Sequence, residues 1–248
     1  MRLSWKKCLG AAAVVLCVST GVVRGSGFQL YTEGSAEALG LAGAISARED
    51  MLSNAWYNPA SLRDFDEPGL MLGLTLVNLD IEYTSAVVDE ELEDHWRSIP
   101  HAYYVHPVNE KWTASLSLNA PYGLRTEWPN RWVGDFLALD TSIETFYLTP
   151  AVSYRITDRL SLAAGVSGVY ADAVLRQRIP GTPTRQKLEA DDMSIGYLLA
   201  ANYRIRDDWS VALKYQSRVP LSFEGSPRFE PELPTAALVD QDVKGDLD

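Results

Sequence analysis

The side chains best suited to catalysis are sparse in this 248-residue chain and wrongly spaced for it. Its three histidines, His95, His101 and His106, match no metal-ligand spacing. There is no serine nucleophile elbow and no glycine-rich phosphate loop. Both cysteines, Cys8 and Cys17, lie in the first 25 residues, so the remainder has no thiol nucleophile, disulfide or cysteine metal site. The acidic clusters at 89–94 and 191–192 read as solvated loop charge, with a divalent cation near lipopolysaccharide as the alternative. These residues point to no enzyme, no cofactor and no metal. A different chemistry suits Tyr57-Asn58-Pro59-Ala60. Proline lacks an N–H, has a fixed φ and pushes Asn58 out of the helical region, while Ala60 is small enough to rest against a wall. That is packing and positioning chemistry, and its use depends on the elements around it.

Residues 1–25 have the anatomy of an export signal: Arg2, Lys6 and Lys7, then an apolar run from Cys8 to Val23, then a small-residue exit. The run is short for a bilayer span. Cleavage is expected between Gly25 and Ser26. Arg2, Lys6, Lys7 and Arg24 leave with the leader and no acidic residue does, so the formal charge moves from −11 to −15. A broad basic face for nucleic acid is excluded. Residues 26–68 are rich in Gly and Ala, which allow close backbone packing, and 36–47 suit a short helix.

From residue 69 onward the period is two. Leu70, Leu72, Leu74 and Leu76 share a face; Ile99, His101, Tyr103 and Val105 are taken as the next apolar face. Trp112, Ala114, Leu116 and Leu118 alternate with Thr113, Ser115, Ser117 and Asn119. Four more segments follow, around 145–156, 159–170, 193–205 and 209–218. Each has one apolar and one polar face. A soluble antiparallel sandwich shows the same alternation. Three details favour a membrane barrel instead. The strands run to about ten residues or more, the length of a tilted crossing. Tight polar turns at 107–110, 157–158 and 207–208 alternate with long excursions, roughly 79–97, 121–142 and 173–191, so one rim has short turns and the other long loops. Trp112, Tyr154, Tyr203 and Trp209 flank the short turns on the apolar face, where interfacial aromatics belong. A closed barrel satisfies every backbone group without a helical span. Seven strands leave an open edge, which lipid does not tolerate, so the chain reads as the N-terminal piece of a larger barrel or as one that closes by association.

The residues resemble the FadL/TodX family of outer-membrane transporters of long-chain fatty acids and other hydrophobic compounds. The likeness runs from Ser26-Gly27-Phe28-Gln29-Leu30 through Ala42-Gly43-Ala44 and Tyr57-Asn58-Pro59-Ala60 to Pro121-Tyr122-Gly123-Leu124, Trp132-Val133-Gly134 and Pro150 to Arg155. Residues 165–173 (GVSGVYADA) and 209–218 (WSVALKYQSR) complete it. It implies a fourteen-stranded barrel, about half of it present here, plugged by an N-terminal hatch. The organisation expected is a signal peptide at 1–25, a hatch at 26–68 and the N-terminal half of an all-β, antiparallel transmembrane barrel at 69–248. By position, Phe28 and Leu30 would line or fill an inner ligand site, and Asn58, Pro59 and Ala60 would lie beside a lateral opening at a kinked strand. The expected partners are hydrophobic small molecules, outer-membrane lipid and lipopolysaccharide, and the location is the outer membrane of a Gram-negative-type bacterium.

Two departures bear on the substrate. Where the family carries a basic residue for a carboxylate, this chain has Gln177, flanked by Arg176 and Arg178 on the opposite face. That leaves neutral hydrocarbons open beside fatty acids. The loop beyond it is polar, so Trp128, Trp132, Phe136 and Leu137 in the preceding loop are the better capture candidates. The reading is passive, hatch-gated diffusion with lateral exit. A nonspecific porin and a surface adhesin or structural barrel are the alternatives.

Overall fold

A computed structural model describes residues 29–230 and 243–247. The export-signal segment and Phe28 lie outside the described residues, and with them the expected cleavage site.

Among the described residues twelve strands form: β1 (Gly69–Asn78), β2 (Glu82–Thr84), β3 (Asp89–Glu91), β4 (Trp96–Pro107), β5 (Trp112–Asn119), β6 (Gly123–Glu127), β7 (Asp140–Arg155), β8 (Leu160–Arg178), β9 (Arg185–Arg206), β10 (Trp209–Gln216), β11 (Leu221–Glu230) and β12 (Val243–Leu247). Ten of them make one antiparallel sheet in the order β1-β4-β5-β7-β8-β9-β11-β12, with β6 on β7 and β10 on β9. Since β5 and β6 follow one another along β7, and β10 and β11 along β9, seven spans precede β12. β2 and β3 form a separate hairpin between β1 and β4. The sheet is curled into part of a barrel wall.

The outer face is apolar and open. Leu70 and Leu72 keep 64% and 72% of their surface exposed, against the near-complete burial such residues find in a soluble core. Leu116, Leu148, Val152, Leu162, Val166, Ile195, Leu199, Val211 and Leu213 are exposed on the same side. This is the lipid-facing band of an outer-membrane barrel. Trp112, Tyr203 and Trp209 are exposed beside the short turns, and Trp112 packs on its cross-strand partner Tyr154 at 4.5 Å between centroids.

The inner face carries the residues preceding β1. Helix α1 (Ala36–Gly40) is followed by turns through Ala47; helix α2 (Asn54–Tyr57) leads into a 3-10 turn at Pro59–Leu62. The core is the contact between this segment and the wall: Ala38, Ile45, Ala55, Trp56, Tyr57 and Leu62 pack with Tyr103, Val105, Tyr147, Val169, Ala171, Leu221 and Phe223.

Two sequence expectations are corrected. On β4, Ile99, His101, Tyr103 and Val105 are buried and face inward, while Trp96, Tyr104 and His106 face out, in register with the outward leucines of β1 (Leu70 opposite Tyr104). Alternation separates two faces of a strand but does not say which one meets lipid, and here the packed segment makes the inner face the more apolar one. The excursion at 173–191 is also not a loop. β8 runs to Arg178 and β9 starts at Arg185, leaving a turn at 179–184. Above the bilayer both faces of a strand meet water, so its residues are polar on both sides and carry no period-two signal.

Candidate functional site

The segment 29–68 is held at two ends by different chemistry. Its beginning is clasped by neutral donors. The Leu30 N–H donates to the Pro121 carbonyl at 2.7 Å. The Tyr57 hydroxyl donates to the Tyr31 carbonyl at 2.7 Å, and the two rings meet edge to face at 5.1 Å. Thr75 Oγ1 of β1 donates to the Glu33 carbonyl at 2.8 Å, and the Tyr103 hydroxyl of β4 donates to the Gly34 carbonyl. Asn119 Nδ2 donates to the Tyr103 oxygen at 2.7 Å, which fixes the direction of that hydroxyl. Burial pushes the Tyr57 phenol well above its ordinary pKa, so it remains a donor across the physiological range. Glycine is required at position 34: a Cβ there would stand 2.6 Å from the Tyr57 oxygen.

Its far end is held by a polar row on the wall. Arg155, Ser161 and Asn202 are in register across β7, β8 and β9. All three reach the same turn: Arg155 donates to the Arg63 carbonyl, Ser161 to the Ala60 carbonyl, and Asn202 Nδ2 to Ser61 Oγ at 2.9 Å. Asn58 has the extended backbone expected before proline, with φ −162° and ψ 93°. Its side chain accepts from the Ala60 N–H at 3.0 Å and donates to the Ala201 carbonyl of β9 at 3.2 Å. Ala60 is seated on Ala163, Leu198 and Ala200, a floor that admits only a small side chain. Around the turn, Glu49 pairs with both Arg63 and Arg204, and Asp64 pairs with Arg204. The Arg63 side chain is 1% exposed, and burial lowers its pKa while Glu49 opposes the shift.

Beside Leu30 the sheet is interrupted. β4 pairs with β5 only from Ala102 to Pro107, and β6 pairs only with β7. The kink at residues 120–122 separates β5 from β6, so residues 96–101 of β4 and 123–127 of β6 share no ladder. The Arg97 guanidinium crosses the break to the Arg125 carbonyl at 3.1 and 3.3 Å. On the inner side, His101 is buried, stacks on Tyr103 at 5.8 Å and lies so close over Gly73 that a Cβ there would clash. Leu30 lies over Gly123, 3.5 Å from where a Cβ would stand.

The expected site residues thus divide. Leu30 is at the break in the sheet. Asn58, Pro59 and Ala60 are fully buried against β7–β9. In the outer loop, Trp128 and Trp132 stack at 4.4 Å, and Trp132 is 8% exposed with its Nε1–H on the Ala138 carbonyl, whereas Phe136 and Leu137 are exposed. Arg178 binds the buried Asp135 at 2.7 Å and Arg176 binds Glu230 at 3.3 Å. Gln177 faces Gln186 across the strand pair. Sequence reading missed the Tyr57–Thr75–Tyr103 clasp and the Glu49–Arg63–Arg204 cluster, since pairings 14 to 155 residues apart leave no local signature.

A model of outer membrane protein transport proteins (OMPP1/FadL/TodX) matches residues 15–243. A long-chain fatty acid transport protein of Salmonella typhi is 25% identical over 258 residues, covering 91% of this chain and 58% of its own. The chain therefore spans little more than half the length of that relative. Among solved structures, a Pseudomonas aeruginosa FadL homologue aligns with TM-score 0.68 at 21% identity, over 82% of this chain and 55% of its own. The Ralstonia pickettii toluene transporter TbuX aligns with TM-score 0.63 at 17% identity, over 82% and 60%.

Proposed function

The chain belongs to the OMPP1/FadL/TodX family of outer-membrane transport proteins, and from that premise we propose that it conducts hydrophobic compounds through the outer membrane under the control of a hatch formed by residues 26–68. The observation that carries this reading is the position of the hatch's first residues. Leu30 is hydrogen-bonded to Pro121 at the kink that opens the sheet between β4 and β6. A solute held on the inner side of the wall leaves sideways into the bilayer through that break once Leu30 releases Pro121. Phe28, expected to share an inner ligand site with Leu30, lies outside the described residues. Asn58, Pro59 and Ala60 form the fixed end about which the hatch moves. Phe136 and Leu137 offer the exposed apolar surface that first takes the solute from outside. The names of the relatives, a fatty acid transporter and a toluene transporter, span the substrate range.

Deletion of residues 26–30 tests the reading. Uptake of a long-chain fatty acid by intact cells should fall, or leak of small hydrophilic solutes should rise; unchanged uptake with unchanged leak contradicts gating. A nonspecific porin is the second reading, favoured by the lumenal hydroxyls Ser115, Ser117, Thr149, Ser153 and Ser167. It predicts bilayer conductance for small ions that added fatty acid leaves unaltered.

A further inference from the structure

The outer ends of β8, β9 and β11 carry an ordered charge pattern on the face that meets lipid lower down. The β8–β9 register is unbroken, so parity with the exposed Met193 and Ile195 places Lys187, Glu189 and Asp191 outward. Phe146, Tyr170 and Met193 form the last outward apolar row across β7, β8 and β9. Directly beyond it Glu144, Asp172, Asp191 and Glu224 lie side by side on β7, β8, β9 and β11. Four residues further along each strand, Arg176, Lys187 and Arg228 stand in register on β8, β9 and β11. At about 3.3 Å per residue and a tilt near 40°, this basic row is about 10 Å higher than the acidic one. It is only partly neutralised within the protein. Arg176 pairs with Glu230 at 3.3 Å, and Lys187 and Arg228 share Glu189 at 2.5 and 3.2 Å. Asp140, beside Arg176 in the row, is taken up by Arg125 at 3.0 Å. Arg185, opposite Glu230, has no ion pair among the described residues. Four cations thus face two carboxylates in a chain whose formal charge is −11. The ion pairs are exposed and worth at most about 1 kcal/mol each, so a phosphate accepting charge-assisted, bidentate bonds can displace their carboxylates.

We infer that this face binds the anionic core of lipopolysaccharide, with Arg176, Lys187 and Arg228 taking a sugar-borne phosphate that stands clear of the acyl chains. Height selects the ligand. A phospholipid headgroup, or a phosphate on the acylated sugars themselves, presents its charge at the lipid boundary. There the carboxylate row repels it, with neighbours about 4.8 Å apart across the strands. An anion further out meets the arginines and the lysine instead. In the outer leaflet that level belongs to the oligosaccharide carried on the acylated sugars. The same strand spacing brings three long cationic side chains within reach of one phosphate: the two guanidinium groups supply planar forks and the ammonium between them a point charge. The contact depends on the outer-membrane location alone. It involves neither the hatch nor the transported solute.

The test titrates the full-length protein in detergent with three probes and reads bound lipid by native mass spectrometry. The probes are lipopolysaccharide with a phosphorylated core, lipopolysaccharide from a strain that leaves its core sugars unphosphorylated, and lipid A without a core. The wild type should bind the first about tenfold or more tightly than either of the others. The combined variant Arg176→Gln, Lys187→Gln and Arg228→Gln should lose that preference while its affinity for lipid A stays as in wild type. Arg159→Gln, exposed at the short turn on the opposite rim, should retain it. Equal wild-type affinities for the two lipopolysaccharides overturn the assignment without recourse to a variant. Equal affinity for lipid A places the contact at the acyl boundary and overturns it too, as does an undiminished preference in the combined variant.

Discussion

The Leu30 amide and the Pro121 carbonyl, 91 residues apart in sequence, meet at 2.7 Å where the wall of the barrel is interrupted. Pro121 sits in the kink that separates β5 from β6, and Leu30 is the second described residue of the N-terminal segment. One hydrogen bond therefore joins the beginning of the described N-terminal segment to the break in the sheet. It is worth only about 1 kcal/mol net, weak enough for the release that the proposed gating requires.

Loss of a clasp hydroxyl should loosen the hatch without unfolding the barrel. Tyr103→Phe removes the donor to Gly34 and strands the Asn119 amide, at a cost of about 1–3 kcal/mol. Cells carrying it should become more permeable to a small hydrophilic antibiotic, while the heat-modifiable gel shift of the folded barrel stays intact. Loss of that shift would show that Tyr103 supports the wall itself.

At the fixed end the cost should be larger and of a different kind. Glu49→Gln removes the closer carboxylate of the buried Arg63 and leaves it only Asp64 at 3.8 Å, a weakening that should cost up to about 3–5 kcal/mol. Arg48→Ala breaks only the exposed pair with Asp50 and should cost at most about 1 kcal/mol. Hydrogen exchange of the amides at 59–63 should accelerate in the first variant and remain as in wild type in the second. Similar protection in both would mean the cluster does not anchor the turn.

Ala60→Leu should overpack the seat made by Ala163, Leu198 and Ala200, for about 1–3 kcal/mol. Ala60→Gly leaves the floor uncrowded and should be the milder change. Protease sensitivity of the N-terminal segment in folded protein ranks the two; the opposite order would mean that the seat is not tight.

The outer loop separates support from capture. Phe136→Ser with Leu137→Ser removes exposed apolar surface, so uptake at low substrate concentration should fall several-fold while the loop stays ordered. Trp132→Ala, by contrast, empties a buried position that holds Trp128 and Tyr83, and should unfold the loop at a cost of about 3–5 kcal/mol. Limited proteolysis of residues 128–139 distinguishes them. Equal uptake by the double serine variant and wild type would remove Phe136 and Leu137 from the path.

Much of the wall is legible in the sequence because lipid and lumen impose opposite polarities on alternate residues. The outward leucines of β1 and the serine and threonine faces of β5 and β7 follow from period two alone. β4 misleads because its inner Tyr103 and Val105 pack on the segment preceding β1, while Ser98 and His106 lie on its outer face. The outer ends of β8 and β9 read as loop because Arg176, Arg178, Lys187 and Glu189 sit where both faces meet solvent. Asn58-Pro59 announces its local geometry through proline sterics, yet nothing nearby reveals that its partner is Ala201.

The most direct test of hatch gating fastens the hatch to the kink. Residues 26–248 contain no cysteine, so Leu30→Cys with Gly123→Cys introduces the only thiols there. The Leu30 side chain already lies 3.5 Å from the site of a Gly123 Cβ. Joined by oxidation or a short bis-thiol cross-linker, the pair should abolish fatty acid uptake by whole cells. For the oxidised form, reduction should restore it to the level of the single variants. Uptake that proceeds equally in the joined and reduced states would contradict the account.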